Sequence, residues 1–185
     1  LFTALGAGLG LWALILTYNG FYKETVWVLA VAAIIDSVDG ALARLTQTKV
    51  HAPAIDGALM DNIVDFLTWT IAPLLWIFAT MDIPTWVLAI CAIASVFGFS
   101  NTKAKTEDHF FLGFPSYWNI VVFYIFLLEL PDPFASAILL LFALVTFLPV
   151  KFVYPSRTEY LRPFTLILGG IFAIQLISLL YYFDQ

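Results

Sequence analysis

Long apolar runs separated by short polar connections extend over nearly the whole chain. Seven apolar segments can be distinguished, at residues 1–18, 26–46, 54–80, 84–102, 116–130, 134–152 and 160–183. Since about 20 apolar residues in a helix span the hydrocarbon core of a bilayer, most of these segments are long enough to cross it or nearly so. The pattern predicts an all-α integral membrane protein, a polytopic bundle of about seven transmembrane helices, forming a single domain over residues 1–185.

The composition agrees with this class of protein. The 185 residues are 62% hydrophobic and only 11% charged, with a mean hydropathy of +0.96, whereas soluble domains are about 25% charged. We expect membrane lipids as the surroundings and no nucleic-acid partner. The single cysteine, Cys91, cannot form an intrachain disulfide. Because the chain begins with Leu rather than Met, we also expect a further segment before it.

Basic residues are distributed unevenly among the predicted connections. The connections after helices two, four and six contain seven of them, whereas those after helices one, three and five contain only Lys23. Lys and Arg favour the cytoplasmic side of a membrane. The bias therefore predicts a multi-pass protein of the bacterial cytoplasmic (inner) membrane, with the even-numbered connections and any site on them facing the cytoplasm. The seven basic residues are Arg44, Lys49, Lys103, Lys105, Lys151, Arg157 and Arg162.

Four aspartates lie at the adjoining ends of the second and third apolar segments. At 3.6 residues per turn, Asp36 and Asp39 share one face of helix two, and Asp61 and Asp65 share one face of helix three. If these helices are neighbours, four carboxylates converge. Their repulsion and their cost in lipid are relieved most simply by a divalent cation. An all-oxygen ligand set suits Mg²⁺, Mn²⁺ or Ca²⁺ rather than zinc.

Small residues flank these aspartates. Gly40 and Ala43 on helix two and Gly57 on helix three leave room for a ligand to approach the backbone, and Arg44 can hold a phosphate group. Several carboxylates with exchangeable metal positions are suited to binding a pyrophosphate and stabilising its leaving oxygen. Asp56 lies off this face, and we expect it to cap helix three or to be solvated instead of binding a metal.

The same residues match a motif of fixed spacing, D-x2-D-G-x2-A-R followed by G-x3-D-x3-D, which resembles the CDP-alcohol phosphotransferase family. The spacer from Leu45 to Asp56 has twelve residues, more than in most of the family. This spacer and the segment Lys105–Asn119 resemble the branch whose acceptor alcohol is choline. The motif positions are occupied by Asp36, Asp39, Gly40, Ala43, Arg44, Gly57, Asp61 and Asp65.

The resemblance implies an enzyme that transfers the phosphatidyl group from CDP-diacylglycerol to choline and releases CMP. It implies a six-helix core, so that one of the seven helices is additional, and a homodimer. Asp36, Asp39, Asp61 and Asp65 would bind two ions of Mn²⁺ or Mg²⁺, with Asp65 also the catalytic general base. The CDP pocket would be formed by Asp36, Asp39, Gly40, Ala43, Arg44, Gly57 and Asp61.

The choline pocket is a separate question. A quaternary ammonium has no N–H, so it is recognised by aromatic faces, often with a carboxylate nearby. The candidates between helices four and five are Glu107, Asp108, Tyr117 and Trp118. Tyr117 and Trp118 fit an interfacial aromatic belt equally well, and the two acidic residues also fit a solvated loop, so both interpretations stay open.

Two other functions fit parts of the pattern. A related enzyme could use serine, or a phosphorylated acceptor such as inositol phosphate or glycerol phosphate held by Lys103, Lys105, Arg157 and Arg162. An ion-coupled transporter could use intramembrane aspartates to relay cations. Transporters tend to show internal repeats, and none is visible here. The clustering of the aspartates at one membrane boundary favours the enzyme.

Overall fold

A computed structural model describes residues 2–46, 51, 53–154 and 161–182. Within these residues the chain forms seven helices of at least ten residues, which match the predicted segments in number and order. Arg157 and the spacer residues 47–50 and 52, which include Lys49, lie outside the described residues. The helices are α1 (Phe2–Tyr18), α2 (Tyr22–Leu45), α3 (Gly57–Thr80), α4 (Thr85–Ser100), α5 (Trp118–Leu127), α6 (Asp132–Val145) and α7 (Arg162–Tyr182).

The chain is mostly but not entirely helical. Strand β1 (Phe110–Leu112) pairs antiparallel with β2 (Lys151–Val153), so the all-α prediction is wrong for these two strands. The first two residues of β2 fall inside the predicted sixth helix, 134–152, but this helix ends at Val145. Pro149 accounts for the early end, because proline lacks an N–H and disfavours a helical conformation in the residue before it.

The helices expose apolar surface on a scale that is unusual for a soluble domain. α2 and α3 are long and apolar enough to cross a membrane, and the other five are shorter apolar helices. Large apolar side chains are exposed on six of the seven, for example Trp12, Ile34 and Ile93. Extensive exposed apolar surface marks contact with lipid or with other proteins. The described helices therefore agree with a membrane-embedded helical protein.

One compact unit comprises Leu1–Asp82 and Trp118–Val122. Within it, α1 packs closely on α3 through two glycines four residues apart. A Cβ at Gly6 would lie 2.6 Å from Cγ1 of Val64, and a Cβ at Gly10 would lie 2.6 Å from Cδ2 of Leu67. Small residues at this spacing allow two helix backbones to approach closely in a membrane. The contact fixes the turn of α3 that carries Asp65.

Buried polar contacts hold α2 in the same unit. The hydroxyl groups of Thr17 on α1 and Thr25 on α2 are hydrogen-bonded at 3.1 Å, and Thr17 also donates to the carbonyl of Ala13 at 2.9 Å. The indole N–H of Trp76 on α3 donates to the carbonyl oxygen of Tyr22 at 3.0 Å. In an apolar environment such groups are costly to leave unpaired, so these bonds favour one arrangement of the three helices.

The second unit comprises Ile83–Tyr117 and Phe123–Gln185. Its α4 and α6 pack together, with the buried thiol of Cys91 directed at the carbonyl oxygen of Leu139 at 3.7 Å. Gly113 has a φ of +81°, and a Cβ there would lie 2.3 Å from the Thr146 carbonyl oxygen. Only glycine fits this approach, which lets the Gly113 N–H donate to the carbonyl of Val150 at 2.9 Å.

Candidate functional site

The structure brings the four motif aspartates of α2 and α3 together. One carboxylate oxygen from each of Asp36, Asp39 and Asp61 lies within 4.8 Å of the other two. The carboxyl group of Asp65 is within hydrogen-bonding reach of Asp36. Asp39 is buried, with 8% of its surface exposed, and the other three are half-buried. The helical spacing that predicted the convergence is therefore realised, because α2 and α3 are neighbours.

This donor set fits a hard divalent cation. Magnesium and calcium bind oxygen ligands at roughly 2.0–2.6 Å, so oxygens around one ion lie up to about 5 Å apart. The 4.8 Å limit for the cluster is within that range. Carboxylates this close repel one another, and a cation placed among them removes the repulsion. Among the described residues the cluster contains only carboxylate oxygen donors, a ligand set that suits hard cations better than zinc.

Open space lies beside the aspartates where the motif has glycine. Apart from its chain neighbours and the backbone of its own helix, no described atom comes within 4 Å of the position that a Cβ of Gly57 would take. At Gly40 the nearest atom is Nη1 of Arg44, 3.5 Å from the corresponding position. Arg44 is exposed, and Ala43, the residue before it, is half-buried. A phosphate approaching Gly40 would therefore meet a free stretch of backbone and a cationic side chain together.

Asp56 has a different role from the clustered aspartates, as predicted. Its Oδ1 accepts hydrogen bonds from the main-chain N–H groups of Ala58 at 3.0 Å and Leu59 at 3.1 Å. It is therefore the N-cap of α3, and its extended conformation directs the chain into the helix. The prediction that Asp56 caps the helix is confirmed.

Two polar residues of this unit were not predicted. Thr68 is 3% exposed, donates its hydroxyl to the Val64 carbonyl at 3.0 Å, and accepts at its own carbonyl from Nδ2 of Asn119 at 3.0 Å. The signal for Thr68 was available, since it follows Asp65 by three residues on the same helical face. A small pocket beside the aspartates is lined by Thr3, Gly6, Ala32, Ile35, Asp36, Asp39, Val64 and Thr68.

The predicted choline residues occupy different environments. Asp108 forms an ion pair with Lys151 at 2.5 Å, and the hydrogen bond from that ammonium holds the pKa of Asp108 below its ordinary value. Its charge is therefore retained but already partnered. Glu107 is exposed, whereas Trp118 is completely buried and has no exposed ring face.

Tyr117 belongs to a group of aromatic rings that contacts a cation. Its ring lies edge-on to Phe111, with the ring centroids 6.2 Å apart, and Phe111 lies 4.4 Å from Tyr154. The ammonium of Lys105 is 5.9 Å from the Phe111 centroid and 5.6 Å from that of Tyr154. These distances fit cation–π contacts. Tyr154 was not predicted, because it reaches Phe111 only through the pairing of β1 with β2.

Known proteins resemble this chain over most of its length. A family model described as CDP-alcohol phosphatidyltransferase matches residues 1–150. The phosphatidylcholine synthase of Legionella pneumophila is 42% identical over 165 residues, which cover 86% of this chain and 65% of that protein. The phosphatidylcholine synthase of Borreliella burgdorferi is 36% identical over 187 residues, 96% of this chain and 80% of that protein. The chain thus spans about two thirds of the length of the first relative and more of the second.

The family match includes both halves of the aspartate motif and the helices that carry them. Members of this family are membrane-embedded enzymes that in general depend on divalent metals. An enzyme is therefore favoured over an ion-coupled carrier. The chain belongs to the CDP-alcohol phosphatidyltransferase family.

Proposed function

We propose that this protein is a phosphatidylcholine synthase, transferring the phosphatidyl group from CDP-diacylglycerol to choline with release of CMP. The observation that carries the proposal is the cluster of Asp36, Asp39 and Asp61, with Asp65 beside it. The relatives named as phosphatidylcholine synthases support choline as the acceptor. The longer spacer after Arg44 supports the same branch of the family.

Asp36, Asp39, Asp61 and Asp65 would hold two ions of Mn²⁺ or Mg²⁺. When bound, these ions supply positive charge that stabilises the pyrophosphate and the departing CMP. Gly40, Ala43 and Gly57 leave room for the cytidine diphosphate to lie against α2 and α3. Arg44 is placed to donate hydrogen bonds to a phosphate oxygen. The role of these residues is therefore to bind and orient the donor lipid.

Asp65 would act as the general base on the acceptor alcohol. Its carboxylate would take the proton from the choline hydroxyl while that oxygen forms its bond to the phosphorus of the diacylglycerol phosphate. The bond from this phosphorus to the CMP oxygen breaks, and CMP leaves with the electron pair. A carboxylate held beside cations is only a modest base, so positioning and charge neutralisation must supply much of the acceleration.

The ammonium of choline would be recognised near the group that contains Tyr117, with Glu107 and Asp108 as the other predicted contributors. Trp118, also predicted, is completely buried and offers choline no ring face. The contact of Lys105 with the Phe111 and Tyr154 rings supports this choice, because it shows aromatic faces in this segment receiving a cation. The methyl groups of choline prevent hydrogen bonding, so aromatic faces and a nearby negative charge are the chemistry that suits it.

We also propose that all seven helices span the bacterial inner membrane, with six forming the family core and α7 additional. The seven-to-one distribution of basic residues supports a cytoplasmic orientation of the aspartate end. A homodimer completes the proposal. Labelling single-cysteine variants at Lys23 and Lys103 from each side of the membrane tests the orientation, and labelling of both positions from one side would contradict it.

The metal site predicts a selective loss of Mn²⁺ binding. Saturating Mn²⁺ should stabilise the purified protein against heat, by about 2.7 kcal/mol at 100 times its Kd. Asp61→Asn should lose most of this stabilisation, while its metal-free form melts no lower, because one repelling charge is gone. Asp56→Ala is the control: it should lose about 1 kcal/mol of cap stability and keep the Mn²⁺ effect. Full Mn²⁺ stabilisation of Asp61→Asn would contradict the assignment.

Asp65→Asn should separate catalysis from binding. The amide keeps the size of the side chain but cannot accept the proton, so the release of CMP should fall by about 10²–10⁴-fold. Binding of CDP-diacylglycerol, measured by tryptophan fluorescence or calorimetry, should persist. Normal turnover in this variant would remove Asp65 from the role of base.

The acceptor is tested by comparing alcohols in one assay. Purified protein is given CDP-diacylglycerol and Mn²⁺ with choline, serine, inositol phosphate or glycerol 3-phosphate in turn, and CMP is measured. We expect CMP with choline alone, because only choline carries a quaternary ammonium. Release with serine but not choline would reassign the acceptor within the family, and ion flux without CMP release would point to a carrier.

The ammonium pocket predicts an effect on KM for choline. Tyr117→Ala should raise this KM by about 5-fold, corresponding to about 1 kcal/mol of cation–π contact, with little change in the KM for CDP-diacylglycerol. Tyr18→Ala is the matched control, since Tyr18 is 87% exposed at the end of α1. Equal values of KM for choline in the two variants would exclude the Tyr117 ring from the pocket.

A further inference from the structure

The helix that carries Asp61 and Asp65 is irregular immediately after Asp65. Residues Phe66–Ile71 form a π-helical segment between the α-helical parts of α3. Such segments arise where the ordinary hydrogen-bond ladder is interrupted, and they are frequent at functional sites. Pro73 supplies the interruption, because it has no N–H and its ring crowds the carbonyl of the residue four before it.

The irregular segment leaves the carbonyl of Thr68 in need of a donor. In a regular α-helix this carbonyl would accept from the N–H of Ala72, but Ala72 donates to Leu67. In the wider π register the donor would be residue 73, which is the proline. No main-chain N–H of α3 therefore serves Thr68 in either register. A buried carbonyl without a donor costs about 1–3 kcal/mol.

Asn119 provides the missing donor from another helix. Its Nδ2 donates to the Thr68 carbonyl at 3.0 Å, and Thr68 is itself 3% exposed. Asn119 stands near the start of α5, next to Trp118, which is completely buried. The buried Trp118 therefore fixes the position of the Asn119 amide. The hydrogen bond from this amide can form only when α3 places the Thr68 carbonyl opposite it.

We infer that Asn119 is a positioning residue for Asp65: its amide fixes the π-helical turn that follows Asp65 and thereby the direction of the Asp65 carboxyl. Two hydrogen bonds connect the parts. Asn119 holds the carbonyl of Thr68, and the hydroxyl of Thr68 holds the carbonyl of Val64, the residue before Asp65. The inference rests on the proposed role of Asp65 as the base.

The experiment compares Asn119→Leu with Asn19→Leu. Leucine keeps the branched shape of asparagine and removes the donor. Asn19 also donates its amide to a main-chain carbonyl, that of Ile15 at 2.7 Å, but in an exposed turn after α1. Asn119→Leu should lower kcat by about 100-fold, since small displacements of a reacting group have effects of that size. The KM for CDP-diacylglycerol and the Mn²⁺ stabilisation should stay unchanged, as should every parameter of Asn19→Leu.

A second substitution distinguishes positioning from general loss of stability. Pro73→Ala restores an N–H that can serve the Thr68 carbonyl, so Asn119→Leu should cost less than about 5-fold in kcat in that background. Asn119→Gln, which keeps the donor, should retain more activity than Asn119→Met, which has a similar length and no donor. If Asn119→Leu does not fold, the activities of the Gln and Met variants test the role of the donor instead.

Several outcomes would overturn the inference. These are an unchanged kcat in Asn119→Leu, a rise in KM alone, an equal loss with and without Pro73→Ala, or equal activity of the Gln and Met variants. Absence of CMP release from the unmodified protein would instead contradict the proposed function. In that case the structural part of the inference is tested by hydrogen exchange at the main-chain amides of residues 69–72. Asn119→Leu should accelerate this exchange, and an unchanged rate would show that the Asn119 side chain does not hold the turn.

Discussion

The mutual repulsion of four aspartates is the constraint on which the rest of this structure depends. Two unit charges 4.8 Å apart repel by about 3 kcal/mol at an effective dielectric constant of about 20. Without a bound cation, packing must hold the aspartates together against this repulsion. The glycine contacts of α1 with α3, at Gly6 and Gly10, and the indole of Trp76 on the carbonyl of Tyr22 supply that packing. The polypeptide thus carries the cost of assembling a charged site in advance, and a divalent cation bound there would remove the repulsion.

Helix α3, which carries Asp61 and Asp65, is held by this packing but is irregular just beyond Asp65. Pro73 prevents regular hydrogen bonding one to two turns beyond Asp65, and the π-helical segment is the consequence. The buried hydroxyl of Thr70, in the same segment, has no hydrogen-bond partner among the described residues. Because some hydrogen-bonding groups of this segment lack partners within the helix, fewer interactions fix the register of α3 here. The side chains of Thr68 and Asn119 therefore matter more at this turn than polar side chains would in a regular helix.

The features predicted correctly from the sequence are those determined within one helix. The spacing of Asp36 with Asp39 and of Asp61 with Asp65 determines their faces, and the position of Asp56 just before α3 determines its capping role. The pairing of β1 with β2 and the bond from Asn119 to Thr68 join residues about 40 to 50 positions apart. No periodicity along the chain encodes such a contact. The early end of α6 is different, because Pro149 was a local signal of it.

The residues proposed for the transfer reaction lie in one local motif, whereas the residues proposed to select the acceptor lie far from it in the sequence. Under the proposed function, the acceptor brings the hydroxyl oxygen, and the aspartates on α2 and α3 are the candidates for the base and for the metal ligands that neutralise the pyrophosphate. In that proposal the carboxylates are committed to metal ions and would have little charge to offer a quaternary ammonium. The acceptor would therefore be selected by residues outside the motif. The candidates proposed for this task are in the second unit, where the rings of Phe111 and Tyr154 contact the ammonium of Lys105.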